Sequence, residues 1–202
     1  MKELFDRWCE LFTNSDSKVV RDEFDNLIKH YSQPSRHYHN IEHIKACLRH
    51  LDEVEQTIKR REIEIAFWFH DVIYNPYASD NEEKSAEYAE KALSRLGELE
   101  VVDSVKRLIL ITRHPSKPES LDEQYMIDID LSILGADAEL YSNYESWIRE
   151  EYRSVPGFLF QRGRKKLLRS FLEMSNIYST PFFQKKLETA ARKNLKNALD
   201  NL

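Results

Sequence analysis

"REIEIAFWFHDVIY", residues 61 to 74, is the stretch from which the fold follows. Laid out at 100° per residue, its apolar side chains cover most of a helix circumference, and only an element surrounded by others can use such a pattern. We therefore expect a central, buried helix here. His70 follows Ile63, Ala66 and Phe67 by seven, four and three residues and so shares their face, with Asp71 at its margin. An ionised carboxylate beside an imidazole inside a core is costly unless a partner compensates. A divalent cation is one such partner, because it takes neutral imidazole and carboxylate together. Backbone groups at a helix end are another.

Outward from this segment the chain reads as more helix. Its 202 residues include only 4 Gly and 6 Pro, and Leu, Glu, Lys, Arg and Ala are abundant. Helices are expected near 2–13, 18–31, 40–58, 61–74, 82–96, 100–113, 123–134, 137–152, 158–175 and 181–200. Ser79 or Asp80 can cap a helix that Gly97 closes, and Thr180-Pro181 reads as a cap followed by a first-turn proline. No alternating strand pattern occurs, so the expected class is all-α, a single domain over 1–202. Its catalytic core would cover about 24–135, with helices in 137–200 packing on it.

A hydrophobic content of 41% with 32% charged residues excludes a disordered chain, and the formal charge of −5 argues against a nucleic-acid-coating protein. Cys9 and Cys47 make no metal knuckle or disulfide framework and are expected as buried thiols. No apolar run approaches the roughly 20 residues of a membrane span, and "MKELFDRWCELF" does not read as a leader. The expectation is a cytoplasmic protein with neither membrane nor stable nucleic-acid partner. A homodimer is left open.

"RHYHNIEHI", residues 36 to 44, places three of the chain's 7 histidines within one short stretch. On a helix His39 and His43, four apart, would share a face, with His43 bordering the stripe of Ile44, Cys47, Leu48 and Leu51. His37 reads as a solvated loop residue. "MIDIDLSILG", residues 126 to 135, supplies another carboxylate. On a helical wheel Asp130 falls amid Met126, Ile127, Ile129, Ile133 and Leu134, whereas Asp128 falls almost opposite and is expected in solvent. His43, His70, Asp71 and Asp130 together form a nitrogen and oxygen donor set that suits Mn, Fe, Mg, Zn, Ni or Co.

The order His…His-Asp…Asp resembles the HD superfamily of metal-dependent phosphohydrolases. "YHNIEH" is similar to the motif of its cyclic-nucleotide phosphodiesterases, in which the first histidine is the general acid and the second a metal ligand. "FHDVIYNPYASDNEEKSA", "LSILGA", "GRKKLL" and "IYSTPFF" resemble a bacterial group of HD phosphohydrolases over nearly the whole chain. The resemblance implies an HD-type helical bundle that hydrolyses a phosphate ester of a small, nucleotide-like or other phosphorylated metabolite. It implies His39 as general acid, His43, His70, Asp71 and Asp130 as ligands of one metal, and Asp71 also as orienter of the attacking water. Where many two-metal relatives carry a further histidine, this chain has Asn81. A second metal would draw on Glu82, Glu83 and His114, although first-turn carboxylates and a helix-end histidine need no such role. Arg36 and Arg113, and further off Lys117, Arg162 and Arg164, are candidates to bind phosphate oxygens. Two other functions fit these residues less well. An HD-fold di-iron oxygenase would need more histidines than this chain offers, and a non-catalytic nucleotide- or phosphate-binding module would not need all of these groups intact.

Overall fold

The computed structural model describes residues 1–55, 57–113 and 117–202. Among them are ten α-helices and two short 3₁₀ segments, and no strand, so the protein is all-α as the sequence predicts. The helices are α1 (Lys2–Leu11), α2 (Ser17–Tyr31), α3 (Ile41–Asp52), α4 (Arg60–Phe69) and α5 (Asn81–Leu96). They continue with α6 (Val102–Leu110), α7 (Leu121–Asp130), α8 (Ala138–Glu151), α9 (Gly157–Glu173) and α10 (Pro181–Asp200). No helix among the described residues is long and apolar enough to cross a membrane. The chain divides into two compact units, Met1–Met126 and Ile127–Leu202.

In the first unit α4 is the central helix. Ile63, Ile65, Ala66, Phe67, Trp68 and Phe69 are fully buried on consecutive turns, and α3, α5 and α6 pack around them. The aromatic rings of Trp8, Phe24, Trp68 and Phe69 meet edge to face or tilted, with Trp8 and Trp68 centroids 5.4 Å apart. Trp8 donates its indole N–H to the Val20 carbonyl at 2.9 Å, and Tyr31 donates its hydroxyl to the Trp68 carbonyl at 3.0 Å. These bonds fix α1 on α2 and α2 on the end of α4. The start of α4 has no side-chain cap of its own, and the Asp122 carboxylate fills that role by accepting from Ile58 N and Lys59 N at 2.9 and 3.1 Å.

Two helices end sooner than their apolar pattern suggests, because other side chains capture the backbone. α3 stops at Asp52 rather than near 58, and Arg60 takes the carbonyls of Leu51 and Val54. α4 stops at Phe69 rather than near 74. Beyond it Arg36 takes the carbonyls of Asp71 and Val72, and Ser85 bonds both the N–H and the carbonyl of Ile73. α5 ends as expected at Gly97, whose φ of 77° is the left-handed geometry that favours glycine.

In the second unit α10 is the spine. The 3₁₀ segment Leu131–Gly135 lies against it so closely that a Cβ on Gly135 would stand 2.5 Å from the Leu187 Cβ. Asn194 of α10 donates to the carbonyls of Leu134 and Ala136 at 2.9 and 2.8 Å. Arg164 of α9 makes a two-pronged pair with Glu145 of α8 at 3.0 and 2.7 Å. Arg192 closes α9 by donating to the Leu172, Met174 and Ser175 carbonyls. Thr180 caps α10 and Pro181 opens it, as the sequence indicates.

Asp128 overturns the helical-wheel expectation. It is fully buried, and it accepts from Ser179 N, Thr180 N and the Thr180 hydroxyl at 2.7, 2.7 and 2.6 Å. Burial pushes its carboxyl above the ordinary aspartate range, against the pull of these three donors. The wheel fails for two reasons. Tyr125, Met126, Ile127 and Ile129 are all buried, so α7 offers no solvent side from which to set a phase. The α-helix also ends at Asp130, and the tighter 3₁₀ turn then swings Ile133 and Leu134 away from the assumed 100° spacing.

Candidate metal centre

The site in the first unit is built where α4 runs out and α3 begins. His70 is the C-terminal cap residue of α4, and His43 lies in the first turn of α3, which Asn40 caps by accepting from Glu42 N at 2.8 Å. Both imidazoles are buried, 2% and 5% exposed, and their Nε2 atoms stand 3.1 Å apart. The Asp71 Oδ2 lies 3.1 Å from His70 Nε2 and 3.6 Å from His43 Nε2. Three candidate donors thus converge within one small volume.

Their protonation chemistry indicates what they can bind. His70 Nδ1 is 3.0 Å from the Phe67 carbonyl, which can only accept, so Nδ1 carries a proton. The neutral ring then presents a bare lone pair at Nε2, and that lone pair faces both a carboxylate oxygen and a second imidazole nitrogen. A single shared proton satisfies only one of these contacts, whereas a divalent cation satisfies all three. With metal–ligand bonds of about 2.1 Å, donors at 90° to 109° lie about 3.0 to 3.4 Å apart. The observed spacings fit that edge length to within a few tenths of an ångström. The bond from His70 Nδ1 to a backbone carbonyl is the usual outer contact that orients a ligating imidazole. Burial on its own would raise the Asp71 carboxyl, but His70 together with His39 and His43 holds it well below the usual carboxylate range.

Cys47, read from sequence only as a buried thiol, belongs to this group. It lies one turn after His43 on α3, and one ligand atom from each of His43, Cys47 and His70 lies within 4.8 Å of the others. The i, i+4 spacing from His43 was the available signal. Cys9, by contrast, is half-buried on α1, and neither cysteine is in a disulfide.

His39 is not on a helix, contrary to the one-face reading, because α3 begins at Ile41. It sits on the preceding turn, its ring stacked on Tyr74 with centroids 4.0 Å apart and lying 6.2 Å from the His43 ring. Arg36 holds this turn in place. Its guanidinium donates to the His39 carbonyl at 3.0 Å, to Asp71 O at 2.6 Å and to Val72 O at 2.8 Å, so it ties the His39 turn to the His70-Asp71 turn. It is buried, and each of its three nitrogens donates to one of these carbonyls or to Gln33.

The other predicted residues are placed as follows. Glu82 and Glu83 occupy the first turn of α5, and Glu83 pairs with Arg113. Asn81 clamps its own loop, accepting from Asn75 N and donating to Asn75 O, each at 2.9 Å. Arg164 is buried against Glu145. His114 lies outside the described residues. Asp130 closes α7 in the second unit and is half-buried.

The class these observations define is an all-helical protein with a buried group of imidazole, thiol and carboxylate side chains that could hold a metal ion. Comparison with protein-family models, with curated proteins and with solved structures finds no match for the chain.

Proposed function

We propose that this protein is a metal-dependent phosphohydrolase of the HD type that acts on a small phosphate ester. The observation that carries the reading is the convergence of His43 Nε2, His70 Nε2 and Asp71 Oδ2 at 3.1 to 3.6 Å beside the ring of His39. Asp130 is the proposed fourth ligand, on the strength of the His…His-Asp…Asp order alone. When bound, a divalent cation supplies Lewis acidity and makes water a competent nucleophile near neutral pH.

The chain's own residues supply the rest. His43 and His70 present neutral nitrogens from a buried, preoriented pair, so little rearrangement accompanies binding. Asp71, whose Oδ2 faces both imidazole nitrogens, accepts a hydrogen bond from the attacking water and orients it. His39 gives its proton to the departing ester oxygen as the phosphorus–oxygen bond breaks. Its stacking on Tyr74 and the Arg36 bond to its carbonyl hold the ring for that transfer. Arg36 is a positioning residue, because its guanidinium bonds the carbonyls of the His39 turn and of the His70-Asp71 turn.

The test is elemental analysis of purified protein, followed by a phosphate-release screen over nucleotides, cyclic nucleotides and sugar phosphates with each candidate metal. The expected result is release with at least one metal that His70→Ala abolishes. No release from metal-loaded protein across the panel would overturn the hydrolase and favour a binding module.

A further inference from the structure

The metal reading leaves unexplained why a thiol lies among the converging nitrogens. Cys47 Sγ stands 3.7 Å from His43 Nε2, with 1% of the residue exposed. With a metal–sulfur bond of about 2.3 Å and a metal–nitrogen bond of about 2.1 Å, a tetrahedral sulfur–nitrogen edge is about 3.6 Å long. Cys47 Sγ, one helix turn from His43, stands at about that separation from Nε2 and lies against the His43 ring, 3.9 Å from its Nδ1. The two imidazole nitrogens are 3.1 Å apart, and one ligand atom from each of His43, Cys47 and His70 lies within 4.8 Å of the others, close enough for one ion to engage all three.

We propose that Cys47 ligates the same cation as His43 and His70 through its thiolate. The site then takes a sulfur-accepting ion, such as zinc, cobalt(II) or iron(II), in preference to magnesium or calcium. This rests on the reading that the group holds a metal and goes beyond it in assigning the class of ion. On binding, the sulfur–hydrogen bond of Cys47 breaks, its proton passes to solvent and a sulfur–metal bond forms. The protein's uptake of such an ion therefore releases a proton. Hard cations gain little from a thiolate, whereas borderline ions gain strongly.

Titration of metal-free, full-length protein with cobalt(II) tests this by absorbance. Wild type and Cys9→Ser are expected to take up one equivalent, with visible ligand-field bands and an intense near-ultraviolet sulfur-to-cobalt band. Cys47→Ser and Cys47→Ala should lose the near-ultraviolet band, and competition should show zinc affinity reduced by about tenfold or more while manganese affinity changes far less. If wild type binds one equivalent of cobalt without the near-ultraviolet band, Cys47 is not a ligand and the proposal fails while the metal site survives. If wild type binds no cobalt, the metal reading itself fails. Both refuting outcomes are read on wild type, so neither depends on the Cys47 variants folding.

Discussion

Replacing Asp128 with alanine separates the wheel placement of this residue from its observed place. Were Asp128 a solvated residue on the outer face of α7, its loss would change stability by no more than about 0.5 kcal/mol. Instead it accepts three hydrogen bonds of 2.6 to 2.7 Å at the entrance to α10. Each bond to an ionised acceptor is worth about 1.5 to 3 kcal/mol, and a buried donor left unmatched costs about 1 to 3 kcal/mol. Ser179 is exposed, so water can replace one bond, and the Thr180 hydroxyl can turn elsewhere; Thr180 is fully buried, so its N–H bears the full penalty. Removing a carboxylate that burial already disfavours returns part of the cost. The net expectation for Asp128→Ala is a loss of about 3 kcal/mol, with Asp128→Asn losing roughly half as much because one acceptor survives. Urea unfolding followed by far-ultraviolet circular dichroism gives the difference, and amide exchange at Thr180 should speed up in the variant. A loss below about 1 kcal/mol, with Thr180 still protected, would refute the latch.

Four further outcomes are expected. Asp130→Ala should strip metal from the purified protein while Asp128→Ala retains it; equal metal content in the two would remove Asp130 from the ligand set. His39→Ala should keep its metal and lose about 10²- to 10⁴-fold in turnover on an ester with a poor leaving group, and a metal-free preparation would make His39 a ligand instead. Because ligating imidazoles must be neutral, metal content measured after dialysis should be lower at pH 5 than at pH 8, and a flat profile over that range would contradict two histidine ligands. Gly135→Ala should destabilise the protein by about 1 to 3 kcal/mol, because its Cβ meets backbone as well as side chain at Leu187; an unchanged urea midpoint would disprove that close approach.

Much of the fold was legible from local chemistry. The order of the helices follows from apolar periodicity, and Gly97 and Thr180-Pro181 act where their backbone preferences put them. The buried run from Ile63 to Phe69 identified the central helix, because no other arrangement shelters that much apolar circumference. His43, His70 and Asp71 were legible as polar groups on or beside apolar faces. Such placement costs stability unless something binds them.

Other features depended on partners distant in sequence. The ends of α3 and α4 are set by Arg60, Arg36 and Ser85, which compete for backbone groups that periodicity alone would assign to the helix. Arg36 was read as a candidate phosphate ligand, and its guanidinium bonds the His39, Asp71 and Val72 carbonyls, targets that are invisible until those carbonyls are arranged around it. Cys47 looked like ordinary core until its sulfur was seen beside two imidazoles. Asp128 went to the wrong side because a helix buried all round carries no phase information, and only the approach of Ser179 and Thr180 reveals where its charge is satisfied. Sequence determined which segments are helical and which polar groups sit where stability opposes them. Tertiary structure determined what each group faces, because hydrogen bonds and donor convergence depend on distances between residues far apart in the chain.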